Sequence, residues 1–79
     1  MREARFSHNH CHAILRRAGA KHASFDAVEE LAKAIENIAW DVSKRAVLFA
    51  DDHARLKVTR EDVRAAVQEF LQSAVSNND

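Results

Sequence analysis

The run HNHCH at residues 8–12 combines histidine and cysteine, side chains that zinc commonly takes as ligands. On a helix, His8 and His12 lie on one face at four-residue spacing, with Cys11 near His8. A zinc site is therefore chemically possible. The run provides few ligands per chain, so we expect packing and a mild attraction for phosphate, with no metal and no cofactor. No glycine-rich phosphate loop or complete acid and base constellation is found in the sequence, so we do not expect an enzyme.

The second chemical feature is an uneven distribution of charge. The chain has 12 Lys and Arg residues and 12 Asp and Glu residues, and its formal charge is zero. Residues 1–25 hold five Arg and Lys against one acid, whereas the remainder holds seven against eleven. The acidic part is typical of solvated surface, and the basic N-terminal third could be a local footprint for polyanions.

Length and composition indicate what kind of fold must position these residues. With 79 residues, 47% hydrophobic content, one glycine and no proline, the chain should form one mostly helical domain. A chain this short buries a modest fraction of its surface, so we expect an oligomer. The single cysteine, Cys11, cannot form an intramolecular disulfide, and no signal-peptide or transmembrane run is seen. We therefore expect an intracellular, cytoplasmic protein with no membrane partner.

Apolar periodicity and capping residues predict a short helix, a long helix and a second short helix, separated by two joints. The predicted bounds are Ser7 or Asn9 to Ala18 for the first helix, Ser24–Asp26 to Asp52 or His53 for the second, and Thr59 onward for the third. Gly19 should end the first helix. Thr59 and Asp62 resemble a capping box, and the third helix should continue one or two turns into 71–79.

The predicted long helix carries an apolar stripe along its whole length of about 40 Å. A helix longer than a small domain is wide cannot bury such a stripe against its own short neighbours. It needs a partner helix that crosses it. The residues predicted to form the core of a dimer are Leu31, Ile35, Ile38, Val42 and Phe49.

In their order and spacing, these segments resemble the histone-fold family, and most of all the small tailless histones of archaea and some bacteria. The segments that carry the resemblance are ILRRAGAKHAS at 14–24, LAK at 31–33 and ARLKVTREDVRAAVQEF at 54–70. The match covers roughly residues 8–71. It implies that 1–79 is a single histone-fold domain with a core at about 8–71 and a C-terminal extension at 72–79.

The resemblance implies an all-α histone fold in which two chains form a head-to-tail handshake dimer. The first joint of one chain then lies beside the second joint of the other. In the family, the paired joints and first-helix N-termini grip the phosphates of double-stranded DNA across minor grooves without reading bases. The matching candidates for DNA contact are Arg16, Arg17, Lys21, His22, Ser24, Arg55, Lys57, Thr59 and Arg60. We expect sequence-nonspecific DNA binding and compaction by a nucleoid-associated protein.

The family also pairs an arginine at the start of the second joint with an aspartate seven residues later, which here are Arg55 and Asp62. The role implied for this pair is a structural clamp that turns the backbone amides of the joint toward phosphate. The same match places His8 and Cys11 on apolar positions, which favours packing over metal binding.

Several residues depart from the family pattern. Leu56 and Lys57 stand where lysine and threonine are common, and His22 stands where the first joint has arginine. DNA binding is then expected to be weaker, sensitive to salt, or stronger when histidines are protonated. Acids would also crowd at the surface where the family's dimers join, so a tetramer or higher assembly is less secure than a dimer. The acids concerned are Asp51, Asp52 and Asp62.

Two questions stay open at the level of sequence. Trp40 lies off the main apolar stripe, and it is either covered within its own dimer or part of a second contact surface. The function has an alternative, since zero net charge and Leu56 also suit a histone-fold interaction module that heterodimerises with another protein in a transcription or chromatin complex.

Overall fold

The computed structural model describes residues 7–76, and within that range the chain is all-α, with three helices and no strand. The helices are α1 (His8–Arg17), α2 (Phe25–Asp52) and α3 (Arg60–Ser76). The predicted order of short, long and short helix is confirmed. The chain divides into two compact units, Met1–Ile38 and Ala39–Asp79, and α2 contributes to both. None of the described helices is long and apolar enough to cross a membrane.

Helix α1 begins and ends at residues whose chemistry explains its bounds. Ser7 is the N-cap, and its hydroxyl accepts a hydrogen bond of 3.3 Å from the amide of His10. At the other end, Gly19 has a φ of +115°. Its amide donates to the carbonyl of Arg16, and the amide of Ala20 donates to that of Leu15. This is the bonding pattern of a Schellman motif, which satisfies two of the carbonyls that a helix end leaves without partners.

The first unit has a small core between α1 and the first turns of α2. Cys11, Val28 and Ala32 are buried there, and Leu15 and Leu31 are among the apolar side chains packed against them. Cys11 is fully buried, so the thiol takes part in the packing that the sequence suggested. Within residues 7–76, no three His, Cys, Asp or Glu side chains gather as metal ligands would.

His8 joins the beginning of α1 to the beginning of α2. Its Nε2 lies 2.6 Å from Oε1 of Glu29, and this contact becomes an ion pair when the imidazole is protonated. The imidazole ring also meets the ring of Phe25 edge to face, with centroids 5.3 Å apart. The structure therefore gives His8 a role in connecting two helices.

The second unit contains the rest of α2, the second joint and α3. Among its described residues, the buried apolar ones are small, namely Ala46, Ala50 and Ala66. Arg45 connects the two helices of the unit, because its guanidinium donates to Asp41 on α2 (2.7 Å) and to Glu69 on α3 (3.0 Å). These hydrogen bonds raise the pKa of Arg45 above its ordinary value, with Asp41 the larger cause.

Helix α2 ends in the same motif as α1, but with alanine in place of glycine. Ala54 has a φ of +57°, in the left-handed region that L-residues seldom occupy. Its amide donates to the carbonyl of Asp51, and the amide of Arg55 donates to that of Ala50. The hydrogen bonds hold Ala54 in this conformation, although its Cβ makes the conformation unfavourable by about 1–2 kcal/mol.

Replacing Ala54 with glycine should stabilise the protein. Ala54→Gly removes the left-handed strain but adds freedom to the unfolded chain, so the expected net gain in the free energy of unfolding is about 0.5–1 kcal/mol. The reciprocal control is Gly19→Ala. No heavy atom lies within 4 Å of the added Cβ there, so the loss would come from backbone strain alone. Urea unfolding at one fixed protein concentration would measure the free energy of unfolding of both variants. A loss of stability in Ala54→Gly would contradict this account of the helix end.

Candidate nucleic-acid interface

The second joint, residues 53–59, is anchored by a bidentate ion pair. The guanidinium of Arg55 donates from Nη1 to Oδ2 of Asp62 (2.6 Å) and from Nη2 to Oδ1 (2.9 Å). Asp62 is 3% exposed, whereas the Arg55 side chain is 37% exposed. Two parallel bonds fix the plane of the guanidinium as well as its distance. The start of the joint is thereby tied to the first turn of α3.

Asp62 also completes a reciprocal cap with Thr59. The amide and the hydroxyl of Thr59 both donate to Oδ2 of Asp62, at 2.8 and 3.1 Å, and the amide of Asp62 donates to the Thr59 hydroxyl at 3.4 Å. This is the capping box that the sequence suggested, with aspartate in the place of the more usual glutamate. While these bonds are kept, the Thr59 hydroxyl has no proton to donate to a phosphate.

The protonation of Asp62 reflects the same contacts. The hydrogen bond from Arg55, followed by that from the Thr59 amide, holds the pKa of Asp62 well below its usual range. In return, the hydrogen bond to Asp62 raises the pKa of Arg55. Asp62 is therefore ionised and matched by a cation throughout the physiological range. It adds no uncompensated negative charge to the acids at the end of α2, where Asp51 and Asp52 are exposed.

The anchored joint leaves its middle residues on the surface. Leu56 and Lys57 are exposed, and so is Arg60, the first residue of α3. The carbonyl of Lys57 accepts from Nη1 of Arg55 at 3.5 Å, so its backbone is connected to the same ion pair. The result is a fixed loop that presents cations beside a helix N-terminus.

The first joint, residues 18–24, offers a second group of candidate residues. Arg16 and Arg17 are exposed in the last turn of α1, where cations also complement the helix dipole. Lys21 and His22 are exposed in the joint itself. Ser24 caps α2, because its hydroxyl accepts from the amide of Ala27 at 3.1 Å.

The structure brings some of the predicted site residues together and leaves others apart. Arg55, Thr59 and Asp62 share one hydrogen-bonded network, which the backbone of Lys57 joins. The candidates of the two joints fall into two groups, one in each unit. Sequence reasoning missed Arg45, although Asp41 four residues before it is a recognisable helical pair.

Comparison with known proteins finds relatives of one kind. The chain is 44% identical over 55 residues to a component of the archaeal histone HAN1 of Thermococcus zilligii, a match that covers 70% of this chain and 82% of that protein. It is 38% identical over 58 residues to probable archaeal histone 3 of Methanocaldococcus jannaschii, covering 73% of this chain and 87% of that protein. No family model matches the sequence.

The network around Asp62 leads to a prediction about acid stability. Because its folded pKa lies below the unfolded value of about 3.9, Asp62 contributes stability above that pH, and the contribution is lost as pH falls through the folded pKa. The free energy of unfolding should therefore fall more steeply below about pH 5 in the wild type than in Asp62→Asn. The variant should also melt at a lower temperature at neutral pH.

The matched control is Asp52→Asn, which removes one exposed carboxylate at the end of α2. Thermal melts from pH 7 to acid would compare the three proteins at one concentration. If Asp62→Asn and the wild type lost stability in parallel, Asp62 would not be the carboxylate whose protonation loosens the joint.

Proposed function

Because the chain belongs to the archaeal histone family, we propose that it binds double-stranded DNA without sequence preference and compacts it at the chromosome. The proposal assigns it a structural role and no catalytic one. The single observation that carries it is the second joint, where a bidentate ion pair and a capping box fix exposed cations at the beginning of α3.

The chemistry of that joint suits a phosphate group. The capping box uses the amides of Thr59 and Asp62, which leaves the amides of Arg60 and Glu61 in the first turn as donors. The exposed side chains of Lys57 and Arg60 supply positive charge beside them. Contacts of this kind release condensed counterions and bind any duplex, since phosphates carry no sequence information. The role that we propose for Thr59 is to cap α3 and so orient the amides of Arg60 and Glu61 toward the phosphate.

The proposal also needs a second chain. Among the described residues, the buried apolar side chains of the single chain are small, and several large ones are exposed. Ile38 is 47% exposed, and the other residues predicted for the dimer core, Leu31, Ile35, Val42 and Phe49, are only partly buried. We propose a homodimer in which these faces of two α2 helices cross in a head-to-tail handshake.

In that dimer, the first joint of one chain would lie beside the second joint of the other. The cations Arg16, Arg17 and Lys21 would then extend the phosphate contacts of Lys57 and Arg60, and His22 and the cap Ser24 would belong to the same surface. The two copies would present this paired surface twice. Bending and compaction of DNA follow if both surfaces hold one duplex.

The alternative function is a histone-fold interaction module that heterodimerises with another protein. It is favoured by Leu56, which is fully exposed in the joint, and by Trp40, which is 66% exposed with the Lys44 ammonium 5.8 Å from its ring centroid. A gel shift with the purified chain alone on random duplex DNA separates the two, because only the histone function produces binding without a partner.

Removing Lys57 should weaken binding to every duplex alike. A homodimer presents Lys57 twice, so Lys57→Ala should make the plot of log affinity against log salt shallower by about 1–2 units. Fluorescence anisotropy with one random and one AT-rich duplex, over a series of salt concentrations, would measure this. Lys44→Ala is the control, since it removes an exposed lysine of α2 outside the proposed interface.

Arg55→Ala should behave differently from Lys57→Ala, because Asp62 would lose its cation and the melting temperature should fall together with the affinity. A loss that depended on sequence in Lys57→Ala, or equal losses in Lys57→Ala and Lys44→Ala, would count against a phosphate grip in this joint.

The homodimer predicts that stability depends on protein concentration. The melting temperature should rise with concentration, and Ile38→Asp should unfold the chain because it places an unpaired carboxylate in the crossing. Asn37→Asp is the control, as it adds the same charge at the neighbouring exposed position. Sedimentation and thermal melts would follow both variants. A folded wild-type monomer at low micromolar concentration would rule out the proposed dimer.

A further inference from the structure

Leu56 stands out in the second joint because nothing in the described part of its own chain covers it. It is fully exposed, at 107%, the highest value among the large hydrophobic residues that the structure describes. A single exposed leucine on a surface is ordinary. This one lies between Arg55 and Lys57, at the centre of the surface that we assign to DNA.

The backbone around Leu56 is held on both sides. Before it, the Schellman motif at the end of α2 fixes Ala54, and the amide of Arg55 is bonded to the carbonyl of Ala50. After it, Arg55 reaches the carbonyl of Lys57, and the ion pair with Asp62 connects the joint to α3. An apolar side chain on such a loop is presented at a fixed place and cannot easily fold back onto the chain.

We propose that Leu56 is a wedge that enters the minor groove and partly unstacks one base step. The inference rests on the DNA binding proposed above and adds to it a mode of deformation. The neighbouring cations hold phosphates, and the leucine, which gains nothing from phosphate, loses most of its contact with water when it enters between two bases.

A wedge of this kind has consequences that a phosphate grip alone lacks. An apolar side chain inserted from the minor groove kinks the duplex toward the major groove by roughly 20–90°. Pyrimidine–purine steps such as TA unstack most easily, so within a bound duplex the wedge should enter at those steps, while the phosphate contacts hold every duplex alike. A homodimer would introduce one wedge at each of its two paired surfaces.

The cost of unstacking and the gain from burying Leu56 act in opposite directions. Leu56→Ala should therefore change the affinity by less than about tenfold while it removes the unstacking. Leu56→Met keeps a long apolar side chain and should retain the effect. Leu56→Lys adds a phosphate contact at the same position, so it should bind with a steeper salt dependence and leave the step stacked.

The test uses the purified full chain and duplexes that carry 2-aminopurine beside TA steps, with dyes at the two ends. 2-Aminopurine fluorescence reports unstacking, and energy transfer between the dyes reports bending. At saturating protein, wild type and Leu56→Met should raise both signals above those of free DNA. Leu56→Ala and Leu56→Lys should bind, as judged by anisotropy, with 2-aminopurine fluorescence at the level of free DNA.

The possible outcomes separate this inference from the proposed function. Wild-type protein that binds DNA without a rise in 2-aminopurine fluorescence overturns the wedge and leaves DNA binding in place. An equal rise in wild type and Leu56→Ala also overturns it. If Leu56→Ala lowers the concentration-dependent melting temperature in the absence of DNA, Leu56 is covered by a second protein chain, which overturns it as well. A wild type that binds no DNA removes the proposed function itself.

Discussion

The described chain can bury very little apolar side chain by itself. Its buried hydrophobic residues are one cysteine, one valine and four alanines, and the largest fully buried side chain is that of Cys11. Such a core contributes far less than ordering a helical chain costs, because the hydrophobic gain scales with the apolar area removed from water. The apolar side chains along α2 that are only partly buried could complete the core by packing against another chain. The limited burial in one chain therefore favours the proposed dimer, and the proposed DNA surface depends on the same association.

With so little apolar packing, the second joint is fixed by polar contacts. Asp62 is almost fully buried, and each of its carboxylate oxygens accepts from Arg55, with Thr59 completing the set. Within residues 7–76, no buried side-chain nitrogen or oxygen is left without a partner. A buried carboxylate whose hydrogen bonds are all made holds its partners in one arrangement. Loss of one partner would leave a buried charge without compensation, which is strongly destabilising. This suits a loop whose amides must meet a ligand at a set place.

Whether a feature of the fold or of the candidate site could be predicted from the sequence depended on how far apart in the chain the interacting residues lie. The helix bounds were close because Ser7, Gly19, Ser24 and Thr59 act on amides and carbonyls a few residues away. The pairing of Arg55 with Asp62 came from family resemblance. The contact of Arg45 with Glu69 spans 24 residues and leaves no local pattern. The left-handed Ala54 could not be inferred from alanine itself, which favours the right-handed helix.

Zero net charge limits how the proposed interface can hold DNA. With 12 cations and 12 anions, the chain as a whole gives little long-range attraction, so affinity must come from the few cations that the joints place against phosphate. Leu56 occupies the middle of one such joint and reduces that number further. An apolar contact does not release counterions, so its contribution does not weaken as salt rises. In the proposed interface, the cations would then set the affinity for any duplex, and Leu56 would set how the bound duplex is deformed.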